Sequence, residues 1–272
     1  MIPTESAIHR VRRDITFGML LKFAFLLAVV GSVLFAPQSA KLAVLITVGI
    51  AWLFLSFTSA RTSRMAVGSP SLIAAGEFEE AEKQIDQAMR GFSLFRTAKL
   101  QALHHLAVLR HAQRRWEESA ALSRALLSQR LRAVDGLSRP ARLILVDALL
   151  EMNDLRGANE SIQDLYRHRL TLSEVLTLVL VQLDYSARVG EWEQMFAGAT
   201  AKVQLAELMP APRAARAQAL LALAALRLGR ADWAAWLRQR VELLADVNTL
   251  TTERPVLWEL WAAARADQAR AD

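Results

Sequence analysis

Two apolar runs close to the N-terminus set the strongest limit on how this chain can fold. The first, Phe17 to Ala36, reads FGMLLKFAFLLAVVGSVLFA, with Lys22 as its single charge. The second, Leu42 to Ala60, reads LAVLITVGIAWLFLSFTSA and carries no charge. As α-helices rising about 1.5 Å per residue, each matches the roughly 30 Å hydrocarbon layer of a bilayer. Only a few residues, Pro37, Gln38 and Ser39 among them, separate the runs, so residues 17–60 predict a transmembrane helical hairpin. Lys22 sits near the start of its run, where the aliphatic stem can carry the ammonium back to the headgroups. A secretory signal fits less well, because the run is too long and Pro37 spoils cleavage after Ala36. Arg10, Arg12 and Arg13 precede the hairpin and Arg61 and Arg64 follow it, whereas the connecting loop contributes only Lys41. The positive-inside rule then predicts that both termini face the cytoplasm. Ala28, Gly31, Ser32 and Gly49 are small enough to let the two spans approach closely.

Composition changes sharply after residue 60. Ala, Leu, Arg and Glu dominate at helical spacing, Gly and Pro are sparse, and the remaining residues suffice for a continuous core without staples. The chain has no Cys, which excludes disulfides, thiolate catalysis, iron–sulfur clusters and cysteine zinc sites. The formal net charge of +6 is partly membrane-proximal arginine, so it does not point to nucleic acid.

A repeated pattern organises the rest. Residues 76–89, GEFEEAEKQIDQAM, place Gly76 at a break, Phe78 two positions on, then Ala81, Ile85 and Ala88. The pattern returns as RRWEESAALSRALL, with Trp116 and Ser119, and as NDLRGANESIQDLY, with Leu155, Ala158, Ile162 and Leu165. It is weaker in VGEWEQMFAGATAK, where Met195 replaces the small residue, and in LGRADWAAWLRQRV, where Ala231 and Ala234 fit but Arg238 takes an apolar position. Between the copies lie companion helices at Lys99–Arg110, Ala141–Leu150, Leu176–Ser186 and Arg216–Leu228. Pro140, Gly190, Pro210, Pro212 and Gly229 are expected at or beside helix boundaries. Pro255 can open a last helix, with Trp258 and Trp261 on one face and a polar ARADQARAD end that caps the array.

These copies resemble the second helices of tetratricopeptide repeats, in which a small residue allows close helix approach. Their spacing of about 37 to 39 residues exceeds the roughly 34 of that family. The resemblance implies an all-α fold in which a two-helix transmembrane hairpin precedes a TPR-like α-solenoid. Its parts would be a basic cytoplasmic N-terminus (1–16), the hairpin (17–60), a juxtamembrane joint (61–75), the repeats (76–250) and a C-terminal capping helix (251–272). The layout is similar to membrane-anchored tetratricopeptide proteins of the HemY-like group.

Catalytic chemistry finds no foothold in the sequence. His104 and His111 lie seven residues apart, about 10 Å along one helix, too far to share an ion, and His105 points elsewhere. Glu79, Glu80 and Glu82 follow a helix break, where carboxylates favour the helix dipole. Neither GxSxG nor a phosphate-binding glycine loop is present. No enzyme activity, cofactor or metal is therefore expected. What remains is surface recognition. The tetratricopeptide resemblance places the first helices on a concave face and by position selects Gln101, His104, Val108, His111, Asp147, Asp184, Arg188, Arg216, Leu223 and Arg227 for binding a protein partner. The expectation is a scaffold or adaptor on the cytoplasmic side of a bacterial-type inner membrane. Its rivals are an RNA-binding helical-repeat protein, although no regular polar code repeats, and a non-catalytic subunit of a membrane enzyme.

Overall fold

In the computed structural model, residues 2–35, 37–129 and 135–263 are described, and among them all regular structure is helical. The helices are α1 (Thr4–Phe35), α2 (Gln38–Met65), α3 (Ser69–Ala75), α4 (Phe78–Arg90), α5 (Arg96–Ala112), α6 (Trp116–Leu127) and α7 (Asp135–Glu151). They continue as α8 (Leu155–Leu165), α9 (Leu172–Val189), α10 (Trp192–Phe196), α11 (Ala199–Glu207), α12 (Ala211–Arg227), α13 (Ala231–Leu244) and α14 (Val247–Glu253). A 3-10 turn at Pro255–Leu257 leads into helical residues 258–263. The chain divides into two compact units, Met1–Ala148 and Leu149–Asp272.

In the first unit, α1 and α2 are long and apolar enough to cross a membrane, and their apolar windows are only 11 % and 6 % buried. A core helix of a soluble protein would be mostly buried, so these two are not core helices. They touch through Phe25 and Trp52, whose rings meet edge-on at 5.4 Å. The expected small-residue seam is only partly present. Ser32 is buried and donates to its own Val29 carbonyl, but Ala28 is exposed and nothing lies within 4 Å of a Cβ built on Gly31 or Gly49.

Residues 4–16, read from the sequence as a basic N-terminus, are instead the first turns of α1. Ile2, Ala7, Val11 and Ile15 recur at near-helical spacing and are buried in the same core as α4, α5 and α6. Helix α4 supplies Ala81, Ile85, Ala88 and Met89 to that core and keeps Glu79 and Glu80 in its exposed first turn. Gly76 ends α3 at φ +81°, a left-handed conformation that a Cβ would strain, and its amide satisfies the Ile73 carbonyl. Ser119, at the small position of α6, is fully buried and donates to the Ala107 carbonyl of α5 at 3.0 Å. A small side chain there lets the two backbones approach.

The second unit is arranged around α12. That helix is buried on nearly all sides by α9, α10, α11 and α13, and its sequence from Ala214 to Ala225 is correspondingly alanine-rich. Leu220, Leu221, Leu237, Val241, Leu250 and Leu257 complete the core. Helix α9 starts with a capping box between Thr171 and Glu174. Asp154 caps α8 by accepting from the Gly157 amide, and a Cβ on Gly157 would lie 2.7 Å from that carboxylate.

Each repeat copy is helical, and Ala81, Ser119, Ala158 and Ala234 are all buried. Three boundaries differ from the sequence expectation. Pro140 lies inside α7, in its second turn. The fourth copy is broken: with the bulkier Met195 buried at the small position, α10 ends after five residues, and Gly198 turns the chain at φ +64° into α11. Pro255 opens a 3-10 turn, after which Trp261 is buried and Trp258 is exposed, so the two do not share one face. Residues 264–272, expected to form the polar end of the cap, lie outside the described residues.

If Ala81 and Ala158 hold helices in close contact, enlarging either to Leu overfills the core and should lower stability by about 1 to 3 kcal/mol. Glu79→Leu, on the exposed face of α4, should be nearly neutral. Thermal melts of the full chain in detergent would measure all three, and a larger loss for Glu79→Leu than for the alanine variants would overturn this packing.

Candidate partner-binding surface

The ten residues selected from the sequence separate into distinct environments. On α5, Gln101 and Val108 are half-buried, and Val108 packs against the core of the first unit. His104 is buried, its Nδ1 has no hydrogen-bond partner, and its ring centroid is 6.0 Å from that of His105. It therefore belongs to the interior and offers no contact to a partner. Burial, followed by the charge of neighbouring His105, lowers its pKa from the ordinary 6.5 to about 4. His105 is also lowered by burial, partly opposed by its hydrogen bond to the Ala66 carbonyl. Its Nδ1 also contacts the Ser69 hydroxyl at 2.8 Å, and Ser69 in turn donates to the Ala66 carbonyl. This buried cluster fixes the turn between α2 and α3.

His111 and Asp147 do meet. His111 Nε2 lies 2.8 Å from Asp147 Oδ2, and the imidazole packs edge-on against Trp116 at 5.0 Å. Both side chains are about a quarter exposed, so the pair is reachable from solvent.

In the second unit, Asp184, Arg188 and Arg216 converge, joined by two residues that sequence spacing did not select. Asp184 is almost wholly enclosed; its Oδ2 lies 2.9 Å from Arg216, 3.3 Å from Arg254 and 3.5 Å from Arg188. Glu151 lies 3.4 Å from Arg188 and pairs in bidentate fashion with Arg254, and Arg188 also donates to the Leu150 carbonyl at 2.6 Å. The cluster ties the end of α7 to α9, α12 and the segment after α14. Three guanidiniums gather around two carboxylates, and the Nε atoms of Arg188 and Arg216 are shielded without a hydrogen bond. Such a cluster braces its helices, because losing any one member would strand a buried charge. The Asp184–Arg188 pair was legible as an i, i+4 ion pair. Glu151 and Arg254 are separated by 103 residues, and no local pattern signals their meeting.

Leu223 is fully enclosed in the core and presents no surface. Arg227 is exposed, lies 5.8 Å above the Trp192 ring and pairs with Glu259. Among the described residues, no group of three His, Asp or Glu side chains is placed to hold a metal ion. No protein-family model matches the chain, and comparisons with curated proteins and with solved structures find no match.

The environment of His104 has a measurable consequence. The unfolded chain takes up this proton near pH 6.5 and the folded chain only near 4, so stability rises with pH across that window and is complete above it. Lowering the pH to 5 should remove about 2 kcal/mol. Denaturant midpoints of the full chain at pH 7.5 and 5 should show this loss, and His104→Leu should flatten it; equal slopes in both proteins would contradict the assignment.

Proposed function

We propose that this chain is a membrane-anchored scaffold whose helical-repeat body holds a protein partner at the cytoplasmic face of a bacterial-type inner membrane. The observation that carries the reading is the exposure of apolar side chains along α1 and α2, such as Leu20, Phe23, Leu53 and Phe57. So long an apolar surface is stable in a bilayer and a liability in water. Arginines at the open end of the hairpin and only Lys41 at the turn support a cytoplasmic position for both termini. The repeat body is TPR-like in this reading: buried small residues recur at one register in four of the five copies, and a companion helix lies between successive copies. Partner recognition is assigned to Gln101, Val108 and the His111–Asp147 pair in the first unit, and to Arg188, Arg216 and Arg227 in the second.

A photo-crosslinker placed at Gln101, Val108 or Arg227 in intact membranes tests this proposal. It should form discrete, protease-sensitive and nuclease-resistant adducts, whereas Arg156, whose side chain is 92 % exposed on α8, should not. Uniform labelling at all four positions, or adducts removed by ribonuclease, would defeat the scaffold reading.

A further inference from the structure

The loop between α4 and α5, residues 91–95, lies against the base of the hairpin. Phe92 meets Phe17 edge-on with ring centroids 6.5 Å apart, and the Leu94 amide donates to Ser59 Oγ of α2 at 2.7 Å. The Ser93 and Leu94 carbonyls lie 3.7 and 3.8 Å from a Cβ built on Gly18. Along α1 the burial pattern changes at this same level: Ile15 ends the buried apolar stripe, and beyond it the large side chains of Phe17, Met19, Leu20 and Phe23 are exposed. Arg61 follows the apolar run of α2 two residues after Ser59. In the membrane reading the loop therefore lies at headgroup depth.

A cleft of about 180 Å³ opens here between α1, the loop and the start of α5, and its polar lining is Asp14, Lys22, Ser93, Arg96 and Lys99. Three cations face one carboxylate. Lys99 is already committed, because its ammonium contacts Asp14 at 2.8 Å and the Met89 and Gly91 carbonyls at 2.6 Å each. Lys22 and Arg96 form no ion pair among the described residues, and Arg96 Nε is shielded from solvent without a hydrogen bond. An adjoining cleft carries Arg13 and Arg90 beside Phe92. Arg13 and Arg90 are paired with Asp14 and Asp86, so it is Lys22 and Arg96, beside exposed apolar surface, that suit a ligand with an anionic head and an apolar tail.

We propose that this cleft binds the phosphate of an anionic phospholipid between Lys22 and Arg96, with the acyl chains lying along the exposed apolar face of α1. The site rests on the membrane reading and adds a lipid selectivity that the reading does not require. A zwitterionic lipid brings its own cation into a cleft that already has excess positive charge, so it competes poorly.

Native mass spectrometry of the full chain in detergent, titrated with phosphatidylglycerol, phosphatidylcholine or inorganic phosphate, tests the site. Phosphatidylglycerol should form one saturable adduct with at least about fivefold higher affinity than phosphatidylcholine. Lys22→Gln and Arg96→Gln should each weaken it about fivefold, whereas Arg12→Gln, an equal charge change outside the cleft, should leave it unchanged. Lys22 is exposed, so its variant keeps the test valid should Arg96→Gln disturb the fold. Equal binding of the two lipids, equal weakening by Arg12→Gln, or binding of inorganic phosphate as tight as that of phosphatidylglycerol would overturn the proposal. Alkaline carbonate extraction separates the two claims: a chain that stays in the membrane pellet yet shows no lipid preference refutes the headgroup site and leaves the membrane reading intact.

Discussion

The first unit depends on a guanidinium that no solvent reaches. Arg110 has a fully enclosed side chain on α5, and its partners come from several parts of the chain. It donates to the Ile2 carbonyl at 3.0 Å, to Glu82 of α4 at 2.8 Å and to Gln113 at 2.7 Å. Its Nε lies 3.3 Å from Glu118 of α6, an ion-pair contact without hydrogen-bond alignment. Burial alone would raise the Glu82 carboxyl, but hydrogen bonds from Arg110 and the Ile2 amide outweigh it and hold the group below the usual carboxylate range. Removing one partner would strand a buried charge, which typically costs about 3 to 5 kcal/mol. The start of the chain is thus held in place.

A second buried cation extends this constraint. Lys99 pairs with Asp14, about three turns along α1 from its first residues, so the docked half of that helix is held near both ends. Because α1 continues without a break to Phe35, the docked half also fixes how the exposed apolar half leaves the unit. A fragment starting near Gly68 would take the Ile2 carbonyl from Arg110 and the Asp14 carboxylate from Lys99, and would remove Ile2, Ala7, Val11 and Ile15 from the shared core. The hairpin and the first helical unit are accordingly parts of one folding unit.

Sequence periodicity located the longer helices, because an amphipathic stripe, a break residue and a small packing position are local signals, but it did not separate out the short helices α3, α11 and α14. It read residues 1–16 only as charge. Ile2, Ala7, Val11 and Ile15 do carry a helical stripe, but Arg10, Arg12 and Arg13 are interleaved with it, and the partner surface that makes the stripe meaningful lies some eighty to a hundred residues away in sequence. At the candidate surface, residue choice by repeat position found Asp184, Arg188 and Arg216, yet it could not tell exposed positions from enclosed ones. His104 and Leu223 are selected by repeat register and are nevertheless buried, because burial is set by neighbours the register does not specify. Glu151 and Arg254 show the complementary limit: their pairing follows from the path of the chain after α14.

Hydrogen exchange on the full chain in a bilayer mimic tests most directly whether the N-terminal helix is a docked element or a tail. Docking through Arg110 and Lys99 predicts that the amides of residues 8–16 exchange as slowly as those of α5 and open together with them. Rapid exchange of residues 8–16, with α4 and α5 still protected, would contradict the account.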